Sequence, residues 1–296
     1  MVEFDVPEVD YTRYTNRQLA AVPLAVLALA LVVIAGWYVF TGFPADPGME
    51  FTGGTELRIV VEGDNPREQI NDAFSAEPAS IQAVPAGTAT DTDGETYVVS
   101  FRGVDVSRTQ LEEEAGAAGF QLLSADTVSP SFGEDTRTLA LGGIIVAFLG
   151  MSVLVFLMFR TFVPSIAVVI SAFSDIVVPV ALMNLLGIEL TLGTVAALLM
   201  LVGYSVDSDI LLNNHILRRS GDFYESTHRA MRTGVTMTLT SISAMAVMAI
   251  AATVVGIDLL AAIGTILVFG LATDLMNTYM LNLSLLRWYK FEGVSS

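Results

Sequence analysis

Residues 138–159 read TLALGGIIVAFLGMSVLVFLMF, a run without one Asp, Glu, Lys or Arg. A bilayer's hydrocarbon core is about 30 Å thick, and roughly 20 apolar residues in helix cross it. This run therefore predicts a transmembrane helix. Residues 19–45 are equally free of charge and predict another. That earlier run exceeds the roughly 7–15-residue core of a signal peptide. It also follows a tail carrying Glu3, Asp5, Glu8 and Asp10, so it reads as a retained span. Working outward, apolar runs predict six spans, at 19–41, 138–159, 163–187, 190–213, 234–256 and 259–286. The connections at 187–190 and 256–259 are too short for anything but tight antiparallel hairpins.

The chain is 53% hydrophobic and 15% charged, which is more apolar than a soluble domain of this size. Basic residues fix the expected orientation. With the N-terminus inside, Arg13, Arg17, Arg160, Arg218, Arg219, Arg229, Arg232, Arg287 and Lys290 all lie inside, and the short outer loops carry none. The prediction is a multi-pass cell-membrane protein with a cytoplasmic tail at each end (1–18 and 287–296) and one large extracellular domain at 44–136.

That domain reads as βαββαβ. The strands are expected at 56–61, 80–84, 96–102 and 120–128. One helix runs from Asn65-Pro66 to Phe74, and another is capped by Ser107 and closed by Gly119. A Gly/Thr/Asp-rich loop at 87–94 separates the middle strands. This is a ferredoxin-like plan, so the fold class is α-helical polytopic membrane protein plus one α+β domain. Nothing in the domain forms a catalytic constellation.

Composition also excludes chemistry. There are no cysteines and only two histidines, His215 and His228, so neither a metal site nor a bound cofactor is expected. The net charge is −17, and the segment between the first two spans holds 18 acids against 5 bases. Such a surface opposes nucleic acid, which needs a basic footprint. An acid excess spread this evenly reads as adaptation to high salt.

The residues that invite a functional reading are acids at bilayer depth: Asp175 in the third span, Asp207 and Asp209 in the fourth, and Asp274 in the sixth. Each costs about 2.5–3.5 kcal/mol at the membrane centre, so all four are expected to face the bundle interior or water. One reading is interhelical glue, at roughly 0.6 kcal/mol per contact. The other is proton or ion handling, which better matches the cost. Gly203, Asp207 and Asn214 fall on one face of the fourth span, and Asp274 and Asn277 on one face of the sixth. Thr236, Thr240 and Ser243 form a hydroxyl stripe on the fifth, with Arg232 one turn before. A carboxyl that feels both low dielectric and a guanidinium can exchange a proton near neutral pH. His215 reads as an interfacial polar residue more readily than as a relay. Intramembrane proteolysis by paired aspartates fits poorly, because Asp207 and Asp209 share one helix and no G-x-G-D segment occurs.

Four stretches carry a resemblance. They are 48–55, with Gly53-Gly54; Phe159-Arg160 through Ser174-Asp175; 203–209, with Gly203-Tyr204-Ser205; and Arg232-Thr233 with Thr236, Thr238 and Thr240. Together they are similar to the SecF branch of the SecD/SecF family, within the resistance–nodulation–division superfamily, and the form looks archaeal. Glu50 stands where the family has Asp, and Ser174 where bacterial members have His. The family's proton-carrying Asp aligns with Ser208, leaving Asp207 or Asp209 to replace it, and SecD-type helices favour Asp207. The resemblance implies a SecD-like partner, the Sec translocon channel and a translocating polypeptide. It implies ion coupling through that Asp and Arg232, with the outer domain swinging to move its client, and leaves H⁺ or Na⁺ open. A half-transporter for a lipid or small molecule, and a non-transporting scaffold, remain as alternatives.

Overall fold

The computed structural model describes residues 10–63, 65–84, 94–102, 107–218 and 222–293. Most of the loop expected at 87–94, Arg219 and the outer parts of both tails lie outside the described residues. Within them, six helices are long and apolar enough to cross a membrane.

Helix α1 (Asn16–Thr41) opens on a capping box, in which Thr15 accepts from the Gln18 amide while the Gln18 side chain returns to the Thr15 backbone. A one-turn helix, α2 (Met49–Thr52), leads into strand β1 (Gly54–Val61). There follow α3 (Pro66–Ala73), β2 (Ser80–Val84), β3 (Glu95–Arg102), α4 (Arg108–Ala117) and β4 (Gln121–Val128). The strands form one antiparallel sheet in the order β2-β3-β1-β4. One face, built from Leu57, Ile59, Tyr97, Val99 and Phe101, packs on Ile70 of α3 and on Leu111 and Ala115 of α4.

Helix α5 (Pro130–Phe159) starts eight residues before the apolar run. Ser129 caps it by accepting from the Phe132 amide, and Pro130 occupies the first turn. Glu134, Asp135 and Arg137 hid this start from a hydropathy window. Helices α6 (Phe162–Leu186) and α7 (Leu192–Arg218) form the first membrane hairpin. Helix α8 (Phe223–Val255) begins at the Asp222 cap, well before residue 234, for the same reason: its first turns carry Glu225, His228, Arg229 and Arg232. Helix α9 (Asp258–Met276) continues through a π segment (Asn277–Asn282) into α10 (Leu283–Trp288).

The sheet domain is fastened to the bundle. Gly53 has φ +72° and Gly54 φ +143°; a Cβ on Gly53 would lie 2.7 Å from the Pro130 backbone, and one on Gly54 2.2 Å from the Phe101 carbonyl oxygen. Only glycine combines that conformation with that approach. The Gly48 amide donates to the Leu190 carbonyl at 2.8 Å, and the Leu190 amide to the Asp46 carbonyl at 2.6 Å. Arg102, at the end of β3, reaches Asp46 at 2.8 Å and Glu189 at 3.0 Å. The Leu192 amide donates to Glu50. The α6–α7 turn is thereby tied to the base of the sheet.

At the opposite end of the bundle, both termini come together. The Arg287 guanidinium donates to the carbonyls of Tyr11 and Tyr14 and to Asn16 Oδ1. We call this the terminal end.

A buried carboxylate cluster as the candidate functional site

Helix α6 places Asp175 toward α7, where Ser205 Oγ donates to its Oδ2 at 2.6 Å; Asn277 Nδ2, from the π segment, donates to its Oδ1 at 2.6 Å. Ser208 Oγ sits 2.8 and 2.9 Å from the two carboxyl oxygens of Asp274. Asp209 Oδ1 accepts from Thr278 Oγ1 at 2.9 Å and from Asn282 Nδ2 at 2.7 Å. Thr278 Oγ1 is also 3.3 Å from Asp274 Oδ1. Hydroxyls and amides of α7 and the π segment thus hold three carboxyls drawn from α6, α7 and α9, and Thr278 bridges Asp209 and Asp274. Relative exposure is 0% for Asp175 and Asp209 and 1% for Asp274. Among the described residues the other buried charged side chain is Arg287, which is committed to the terminal end. The cluster carries no buried base to balance it.

Three ionised carboxylates in a buried interior without a cation would cost several kcal/mol each. Hydrogen atoms offer the cheaper solution. Thr278 has one hydroxyl hydrogen, and it lies between Asp209 and Asp274. For both contacts to be hydrogen bonds, a carboxyl must bring a hydrogen of its own.

The arrangement corrects one expectation. Asp207 does not face this interior; it is exposed on the chain's outer surface, with Gly203 and Tyr204. The reason is helical geometry: at about 100° per residue, positions 207 and 209 point roughly 200° apart and cannot share a side. The face holding Gly203, Asp207 and half-buried Asn214 is thus the outward one. Of the two candidates in the fourth span, Asp209 joins the other carboxylates.

Arg232, Thr240 and Ser243 are exposed as well, and Thr236 is half-buried. Thr236, Thr240 and Ser243 donate to the carbonyls of Arg232, Thr236 and Leu239 on their own helix, the usual resting place for a hydroxyl without a neighbour. His215 Nδ1 contacts the Leu211 carbonyl of its own helix at 2.9 Å. Asp274 and Asn277 both enter the cluster. Sequence reasoning gave Ser208 no role beyond its alignment with the family's Asp, and passed over Thr278 and Asn282. Thr278 and Asn282 follow Asp274 at intervals of four, a signal present in the chain but masked by the π segment's change of phase.

Residues 108–292 match the family described as protein export membrane protein SecD/SecF, C-terminal. Over the full length of both chains, this one is 71% identical to the protein-export membrane protein SecF of Haloferax volcanii. The chain belongs to the SecF family. Another SecF, from Pyrococcus furiosus, is 37% identical, with 94% of this chain and 93% of that one covered. The acid excess agrees with the haloarchaeal relatives, Haloferax and, at 67% identity, Haloquadratum walsbyi. The fold is similar to the crystal structure of SecDF, a translocon-associated membrane protein from Thermus thermophilus. The TM-score is 0.70 at 21% identity, covering 96% of this chain and 39% of that one. SecDF in a super-membrane-facing form gives 0.64 at 22% identity, covering 98% and 40%. This SecF thus spans well under half of those SecDF chains.

Proposed function

We propose that this SecF is an accessory subunit of protein export that works with a SecD-like partner and couples proton movement to the movement of an exported polypeptide. It is a transport component and not an enzyme. Its termini lie in the cytoplasm and its sheet domain outside, where that domain meets the client beside the Sec translocon channel.

The observation that carries the coupling is the buried Asp175–Asp209–Asp274 cluster, hydroxyl-bridged and without a buried cation. Its balance requires hydrogen atoms on carboxyl groups, and a site that holds protons at bilayer depth is what a proton-driven device needs. The partner follows from Asp207. An Asp on the lipid face costs about 2.5–3.5 kcal/mol, and the Asp207–Arg232 side of α7 and α8 is where a SecD-like chain would cover it. Coupling reaches the domain through α6 and α7, which hold Asp175 and Asp209 and whose shared turn is tied to the sheet by Glu189 and Leu190.

The test is export of a reporter protein and proton uptake by proteoliposomes, using the chain co-expressed with its SecD-like partner. Asp209→Asn and Asp274→Asn are expected to abolish uptake and slow export while the complex still co-purifies. Unchanged export with both variants would favour the scaffold.

A further inference from the structure

Six buried side-chain atoms without a hydrogen-bond partner gather around the carboxylate cluster: Ser171 Oγ, Asp209 Oδ2, both amide atoms of Asn213, and the amide oxygens of Asn277 and Asn282. Ser171, Asn213 and Asn282 are fully buried. Buried polar atoms without partners are rare and call for an occupant.

Their placement is directional. On α7, Asn213 lies one turn beyond Asp209, on the same side. Asn282 binds Asp209 through its nitrogen and leaves its oxygen over. Ser171 lies one turn from Asp175 toward the start of α6 and faces the Asp209 carboxyl, near it but outside hydrogen-bonding geometry. All three displace from the carboxyls toward the terminal end. Past them lies an apolar layer. Leu212, Ile216, Leu283, Leu286 and Tyr279 close into one buried apolar cluster with Tyr11, and Arg287 holds the Tyr11 carbonyl at 2.8 Å.

A cation would satisfy the oxygens and leave the Asn213 amide hydrogens unpaired. Water satisfies both, since each molecule donates and accepts and makes about three hydrogen bonds when buried. We propose that Ser171, Asn213 and Asn282 hold ordered water between Asp209 and the Tyr11 seal, a short file that takes protons from the carboxylate cluster and returns them to it on its terminal-end side. The role in exchange rests on the proton-coupling reading above; the water site itself does not. Each transfer makes one O–H bond and breaks another along the file, so no other reactant enters. Ser171, Asn213 and Asn282 are positioning residues for that water.

The test is a density map that resolves ordered water, from the full chain with its co-expressed SecD-like partner, alongside proton uptake by proteoliposomes. Wild type and Asn213→Ser, which puts one hydroxyl in place of the amide and leaves the space open, are expected to show density bridging position 213 to Asp209. Asn213→Leu is expected to lose it, with uptake about tenfold slower, the rate equivalent of one unmade hydrogen bond. If N213L fails to assemble, Asn282→Leu and the wild-type map decide. A dry wild-type site with Asn213 paired to protein atoms overturns the proposal, as does density ringed by oxygens alone, which marks a cation. Bridging density in a complex whose uptake survives Asp209→Asn supports the water site and rejects the coupling instead.

Discussion

Replacing Thr278 by Val tests the cluster at its narrowest point. Valine keeps the shape of threonine and removes one hydroxyl, whose oxygen lies 2.9 Å from Asp209 Oδ1 and 3.3 Å from both Asp274 Oδ1 and Ser208 Oγ. Only the first distance is that of a strong hydrogen bond. If the cluster were structural glue, the loss would cost about 0.6 kcal/mol, the average for polar contacts between membrane helices. Transport would be untouched. If a proton passes between Asp274 and Asp209 across this hydroxyl, removing it takes away one charge-assisted bond, worth about 1.5–3 kcal/mol. At about 1.4 kcal/mol per decade, uptake falls roughly 10- to 150-fold. The assay is the initial rate of proton uptake by proteoliposomes holding the chain and its partner, with thermal unfolding in detergent measured alongside. The expected pattern is a large fall in rate with a stability change under about 1 kcal/mol. Wild-type uptake in a correctly assembled Thr278→Val complex refutes the reasoning, because among the described residues no other side chain bridges those two carboxyls in one step.

Three further outcomes are expected. Asp207→Leu removes an insertion cost of about 2.5–3.5 kcal/mol, so it raises the yield of the chain expressed alone while reducing co-purification of a SecD-like partner; undiminished co-purification contradicts a partner on that face. Gly54→Ala forces a Cβ to within 2.2 Å of the Phe101 carbonyl at φ +143°, and protease resistance of the sheet domain should fall sharply, whereas Gly116→Ala on α4, where nothing lies within 4 Å, should leave it intact. Burial pushes the Glu56 carboxyl above its ordinary 4.5; the folded chain therefore binds more protons than the unfolded one, and this group's contribution falls as pH rises from 4.5. Glu56→Gln should flatten that part of the melting curve and raise the melting temperature at pH 7, and a lower one counts against the burial argument.

Much of this fold was legible because its signals are local. The spans follow from apolar runs, and the sheet domain from Ser107, Asn65-Pro66 and Gly119, whose caps and turns need no distant partner. Where helices α5 and α8 begin was legible too, in Ser129-Pro130 and Asp222, but hydropathy windows average such signals away. The site was harder. The presence of carboxyls at depth could be read directly, and so could the opposition of Asp207 and Asp209 had their angular separation been counted. Which of them turns inward could not, since that depends on how α7 rotates against α6 and α9. Asn282 and Thr278 reach Asp209 because the π segment widens the helix there, and a shift from 3.6 to a longer period leaves no local mark in sequence.

The seat of the sheet domain limits how the proposed coupling can work. One charge crossing 100 mV supplies about 2.3 kcal/mol. Freeing the domain from the α6–α7 turn would break two backbone hydrogen bonds between residues 46–48 and Leu190, the Asn184–Pro44 bond, the Glu50–Leu192 bond and the Arg102 ion pairs. At about 0.5–1.5 kcal/mol for each hydrogen bond, the four together come to roughly 2–6 kcal/mol against that supply, before the partly exposed ion pairs are added. A domain swinging freely on its own hinge is therefore too costly per proton. The cheaper motion keeps the seat intact and moves domain, α6 and α7 as one body. Its joint then lies where those helices meet α9 and the π segment, at the side chains through which Asp175, Asp209 and Asp274 are joined.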